Sequence, residues 1–242
     1  MIHLIVNADD FGFSRGVNYG ILDCHQNGIV NSATMMMNAA GTEHAIELAK
    51  ENPSLQIGIH LVLTAGKPLS TNVPSLVDEE GNFKKQAHIL QHKDVDLDEL
   101  EREWSAQIEV FLSSGLKPTH FDSHHHMHGI REFYPVVQKL SEKYQLPVRK
   151  CNEELEGIPS FTDVFFHDFY GETIAGDYFE HLSERVEDGK TVEVMCHPAY
   201  IDVELMSSSS YNIARLNETE ILMNTKLPET INLVQSLNKR LV

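Results

Sequence analysis

Short apolar, β-branched runs recur along this chain, and most of the strong ones end on a titratable side chain. The runs fall at 2–7, 31–37, 56–63, 118–123, 146–150, 163–167 and 191–196, with amphipathic stretches between them. That alternation is the pattern of a parallel α/β fold. Asp9 and Asp10 follow the first run, His60 lies late in the third, His124 follows the fourth and His197 follows the last. In (β/α) barrels the chemistry sits at the C-terminal strand ends, so these residues are expected to converge on one rim. The expectation is an α/β, (β/α) barrel-like fold, seven-stranded and distorted, with residues 1–242 forming a single domain.

The connecting segments carry their own signals. Val17, Ile21 and Leu22 share a helical face that Gly28 ends. Over 97–113, Asp96 and Glu99 form a capping pair, Leu100, Trp104, Ile108 and Phe111 make the buried stripe, and Gly115 stops the helix. Further helices are predicted at 131–143, 175–187 and 214–224, and Pro228 is read as opening a last one. Residues 64–96, with Pro68, Pro74 and Gly81, show no period and read as a substrate-covering insertion. Residues 202–213, with Ser207 to Ser210, read as a second loop.

Charge excludes some partners. With 36 acidic and 19 basic residues the formal net charge is −17. That balance opposes nucleic acid and anionic lipid alike. No apolar run approaches the roughly twenty residues that span a bilayer. The first residues enter a strand without a basic segment, so no signal peptide is expected. Cys24, Cys151 and Cys196 are scattered and form no CxxC pair, which suits a reducing, cytoplasmic setting and buried, unpaired thiols. A homodimer is the default expectation for assembly.

Residues 120–128 hold five histidines and one aspartate, too dense a cluster for packing alone. Histidine is the commonest metal ligand and the usual proton carrier near neutral pH. Adjacent carboxylates such as Asp9 and Asp10, at the end of a buried strand, repel unless a cation compensates, and a divalent metal at one of them does so. A lone His60 amid apolar sequence reads as core, but motifs ending on the same rim favour the site. Strand alternation puts His120, Asp122 and His124 on one face, with His124 the ligand and His120 and Asp122 orienting groups. His125, His126 and His128 are harder to place, and at least one is expected to be a turn or surface residue. One carboxylate with two histidines leaves coordination positions open. Non-haem iron oxygenases share that set, which keeps a redox enzyme or a metal-dependent isomerase as alternatives. His197 reads either as a loop-capping histidine or as a general acid for a leaving amine. Arg149 reads either as a surface residue or as the partner of a site carboxylate.

These motifs resemble the YdjC-like carbohydrate deacetylases, a family that includes the chitooligosaccharide deacetylases. The resemblance is carried by Asn7-Ala8-Asp9-Asp10-Phe11-Gly12-Phe13-Ser14, by Gly58 to Thr64, by Lys117 to His128, and by Cys196-His197-Pro198-Ala199-Tyr200. It implies a seven-stranded barrel akin to polysaccharide deacetylases, with one divalent metal per chain, magnesium or zinc first. It also implies Asp10, His60 and His124 as ligands, Asp9 as base and His197 as acid. The implied substrate is an N-acetylated oligosaccharide such as diacetylchitobiose or its 6-phosphate. Phe11, Tyr200 and Tyr211 then offer sugar-stacking faces, and Arg15, Lys67 and Arg149 offer positive charge for a phosphate.

Overall fold

In the computed structural model, which describes residues 1–152, 155, 157–171 and 174–235, the strand runs pair side by side in one sheet. The strands are β1 Ile2–Phe11, β2 Ser32–Met35, β3 Gln56–Leu61, β4 Phe121–Ser123, β5 Val164–Phe166, β6 Thr191–Cys196 and β7 Ile231–Leu233. Their order is β4-β3-β2-β1-β6-β5, with β7 on β1, and every pairing is parallel. The sheet curls into an incomplete barrel. Val148 bridges Phe121 of β4 on one side and Ser160, ahead of β5, on the other.

Both faces of the central strands are largely buried, and they differ in chemistry. By alternation, Leu4, Val6, Ala8, Ala33, Ile57, Ile59, Phe121, Val192 and Val194 form one face and join the main apolar core. The inner face carries Asn7, Asp9, Ser32, Thr34, His60, Asp122 and Glu193, all buried. Buried polar groups need partners, and these satisfy one another: Ser32 Oγ donates to Asn7 Oδ1 at 2.6 Å, and Asn7 Nδ2 donates to Thr34 Oγ1 at 3.2 Å.

Helices cover the outside. They are α1 Arg15–Asn27, α2 Thr42–Glu51, α3 Gln86–His92, α4 Leu97–Ser113, α5 Tyr134–Tyr144, α6 Val203–Ser208 and α7 Ala214–Asn224. Ser14 caps α1 through Val17 N, and Asp96 caps α4 through Asp98 N and Glu99 N. Leu100, Trp104, Ile108 and Phe111 are fully buried on α4. Among the described residues, no helix is long and apolar enough to cross a membrane.

Several expectations are corrected. Residues 146–150 make only the two isolated bridges of Val148, because Pro147 has no N–H to continue a ladder. Residues 175–187 fold as turns and a short 3-10 stretch at Leu182–Arg185, with Phe179 and Leu182 anchored in the core. There, burial outweighs a weak helical period. Pro228 opens no helix among the described residues; Ile231 and Leu233 pair instead with Ile2 and Leu4 to make β7, while residues 236–242 lie outside the described part. The region 64–96 contains α3, and 202–213 contains α6.

Candidate metal centre and active site

Successive strand residues point to opposite faces, so Asp9 and Asp10 should diverge. They do not, because the β1–β2 register slips between Ala8 and Phe11 and Asp10 takes φ 68°. A left-handed residue with a Cβ costs roughly 1–2 kcal/mol, and such bulges re-aim side chains. Gly12 completes the turn at φ 97°, where a Cβ would lie 2.8 Å from Met36 O. The strained turn brings both carboxylates to the rim.

Asp10 Oδ1 lies 3.3 Å from His60 Nε2 and 3.0 Å from His124 Nδ1. One donor atom from each of these three residues falls within 4.8 Å of the other two. His60 Nδ1 donates to Asp122 Oδ1 at 2.7 Å, which fixes the ring and turns Nε2 toward Asp10. A carboxylate behind a histidine in this way is the usual support of a metal ligand. A carboxylate oxygen and two imidazole nitrogens, convergent and open to a pocket, fit a divalent cation. Asp9, His60 and Asp122 also lie close together. That second group already holds a cation, since Arg149 grips Asp9 through Nη1 to Oδ2 at 2.7 Å and Nη2 to Oδ1 at 2.6 Å.

Arg149 is fully buried and also meets Asp122 Oδ2 at 2.6 Å and Glu193 Oε1 at 2.7 Å. Burial alone would push the Asp9 carboxyl up, but Arg149 holds it well below the usual carboxylate range. Asp10 is likewise lowered against burial, by Arg215 and then His124. For His60, burial opposes charge, yet Asp122 and the hydrogen bonds to Asp10 and Asp122 raise it to about 10. Glu193 rises to about 7 through burial, against the pull of Arg149. The site therefore holds ionised, rigidly oriented carboxylates around a position that favours positive charge.

On the other flank, His197 follows β6. Its backbone N–H donates to Glu218, and its Nδ1 lies 4.0 Å from Glu218 Oε1. Burial and the nearby Arg215 lower the imidazole to about 4. Tyr211 also donates to Glu218, and Tyr170 stacks on Tyr211 at 3.9 Å with both rings edge-on to His197. Asp9, Asp10, His60, His124, His197 and Arg215 all line one pocket of about 330 Å³.

Other candidates lie elsewhere. His120 faces the barrel interior one pair below His60, stacked on Phe161 at 3.6 Å and bonded to Thr119 Oγ1, with no contact to a ligand residue among its described bonds. His128 is buried between Ser123 Oγ and the Arg149 carbonyl. Phe11 is fully buried and Tyr200 bonds Asp23, so of the three proposed stacking rings only Tyr211 is among the described residues lining this pocket. Arg15 and Lys67 are not among them either.

Two charged residues on α7, like Glu193 on β6, escaped the sequence reading. Arg215 Nη2 donates to Asp10 Oδ2 at 2.7 Å, and Glu218 supports His197; both are buried on α7. Arg215, Glu218, Thr219 and Leu222 follow i, i+3, i+4, i+7 spacing, the stripe of a buried face. Their polarity concealed it.

The YdjC-like family model matches residues 3–233. The chain belongs to the YdjC-like family. This YdjC-like chain is 51% identical over 225 residues to a carbohydrate deacetylase of Geobacillus stearothermophilus, covering 93% of this chain and 91% of that one. It is 42% identical to a chitooligosaccharide deacetylase of Yersinia enterocolitica, covering 94% and 93%. A crystal structure from Enterococcus faecalis, of a proposed cellobiose-phosphate cleavage protein, superposes with TM-score 0.88 at 35% identity, covering 96% and 97%. A family 4 carbohydrate esterase from Streptomyces lividans shares the fold, with TM-score 0.53 at 12% identity and 98% and 94% coverage. The YdjC-like barrel thus has the fold of that esterase.

Proposed function

We propose that this protein hydrolyses the N-acetyl group of an N-acetylglucosamine-containing oligosaccharide, releasing acetate, with one divalent cation, magnesium or zinc, per chain. The convergence of Asp10, His60 and His124 within 4.8 Å, with Asp9 and His197 in the same pocket, carries this reading. The names of the relatives, carbohydrate and chitooligosaccharide deacetylase, point to the same chemistry.

Asp10, His60 and His124 would hold the cation, which when bound would supply Lewis acidity to the amide and to water. Asp9 accepts the proton of the attacking water, and Arg149 keeps the carboxylate turned toward it. His197 delivers a proton to the departing amine. Because His197 rests neutral, it must gain that proton during turnover, and Glu218 stabilises the imidazolium that forms. Each proton-transfer role is worth about 10²–10⁴-fold. Residues 64–96 act as cover, with Gln86 on the pocket wall. Arg149 is engaged by three carboxylates, so it is no phosphate anchor. A cytoplasmic setting suits a disaccharide substrate and free thiols.

The test is acetate release from diacetylchitobiose and from its 6-phosphate by metal-reconstituted protein, with Asp9→Asn and His124→Ala as controls. Asp9→Asn should lower kcat by about 10²-fold or more with metal still bound. Asp9→Asn protein that retains near-full activity would remove Asp9 from the base role, and no release from either sugar would refute the deacetylase reading.

A further inference from the structure

His126 has no part in the mechanism above, yet it is held in a costly conformation. His125 and His126 follow one another at φ 56° and φ 54°, both left-handed. Glycine is the residue that adopts this backbone freely, and side chains kept there cluster at functional sites. Folding accounts for the neighbouring histidines: His128 is bonded in the core and His125 meets Thr64 Oγ1 at 2.8 Å. His126 Nδ1, by contrast, is buried with no hydrogen-bond partner among the described residues.

The ring stands on a wall between two hollows. His126 and His167 line the pocket of the metal centre and also an adjoining one of about 220 Å³. Phe165 lines the smaller pocket and meets His126 edge-on at 5.7 Å. Among the described residues lining that smaller pocket there is no Asp, Glu, Lys or Arg, although the whole chain carries a net charge of −17. Leu90, Met127 and Ile130 supply apolar surface to it, and Gln86, His125 and Asn152 supply neutral hydrogen-bonding groups. Such a mixed lining suits an uncharged ring bearing hydroxyls.

We propose that His126 is a saccharide-recognition residue, and that with His167 and Phe165 it forms a subsite for the uncharged sugar next to the one that loses its acetyl group. This rests on the deacetylase reading and adds a specificity determinant to it. The imidazole edge that lines both pockets pairs with a sugar hydroxyl, and Phe165 presents its ring to the sugar's C–H face. The preference for a disaccharide over a single sugar then originates here rather than at the metal.

The backbone supplies a variant that should keep its fold. His126→Gly removes the side chain at a position glycine tolerates, and His126→Asn, which also accepts left-handed φ, is the second variant. Steady-state kinetics on diacetylchitobiose and N-acetylglucosamine, with metal affinity measured alongside, separate the possibilities. The expected result is a KM for the disaccharide raised about 10-fold, a smaller change in kcat, and wild-type metal affinity. The wild-type preference for disaccharide over monosaccharide should shrink by the same factor. Folded variants with wild-type KM for the disaccharide, or with weakened metal binding as the main defect, would overturn the subsite. Wild-type protein that deacetylates neither sugar would overturn the deacetylase reading itself, and the subsite with it.

Discussion

Replacing Arg149 with Met removes the one guanidinium that touches Asp9, Asp122 and Glu193 while keeping a chain of similar shape. All four residues are buried, so water cannot replace the lost charge. The cheapest response is to protonate carboxylates. Bringing one aspartate from its ordinary 3.8 to protonation at pH 7 spans 3.2 units, or about 4.4 kcal/mol at 1.36 kcal/mol per unit. That agrees with the roughly 3–5 kcal/mol for breaking one side of a buried ion pair. For a chain of this length the loss corresponds to a fall of about 9–18 °C in Tm. The sign with pH is opposite in the two proteins. In the wild type Asp9 is held low, so its contribution is present above 3.8 and lost as pH falls. In Arg149→Met the carboxylates rise above their unfolded values, so the penalty is full at high pH and fades as pH drops toward 4. The gap between the proteins, measured by urea unfolding with chelator present, should therefore narrow by about 1.4 kcal/mol per pH unit between pH 7 and 5. A gap under about 1 kcal/mol at pH 7, or one that widens on acidification, would refute the reasoning.

Two further outcomes follow from α7. Arg215→Met removes a positive charge 2.7 Å from Asp10 Oδ2, so a folded variant should bind a divalent ion about 10-fold more tightly in a competition assay with a fluorescent chelator, while kcat falls; weaker binding would show that orientation of Asp10 outweighs charge. Glu218 is raised from 4.5 to about 7, so its favourable contribution is present below 4.5 and lost as pH rises through 7. Glu218→Gln should accordingly compare better with wild type in thermal melts at pH 8 than at pH 5, and its kcat should fall about 10-fold as His197 loses its carboxylate; unchanged kcat would sever that link.

The rim was readable because each of its residues ends a strand whose apolar run is long enough to recognise. β1, β3 and β6 carry Asp9, Asp10, His60 and His197 to one pocket in this way. The α7 pair was hidden, since Arg215 and Glu218 three positions apart look like a solvated helix face; only burial distinguishes them. His120 misled for a related reason. Alternation assigns it the correct face of the sheet but cannot say at which depth of the barrel it lies. Residues 175–187 and 146–150 failed where Phe179, Leu182 and Val148 take their conformation from tertiary contacts rather than from local pattern. α2 passed unnoticed because Thr42, Ala45 and Ala49 bury it with small side chains that barely register as apolar.

Gly58 has an implication for traffic through the barrel. A Cβ at that position would stand 2.6 Å from the His120 ring, so the glycine makes room for an imidazole that, stacked on Phe161, plugs the interior beneath His60 and Asp122. With the floor stoppered, the rim is the route to the pocket. On the proposed function, ligand and metal exchange would then be sequential events at a common doorway, and a long sugar resting across the groove would act as a latch on the ion below it.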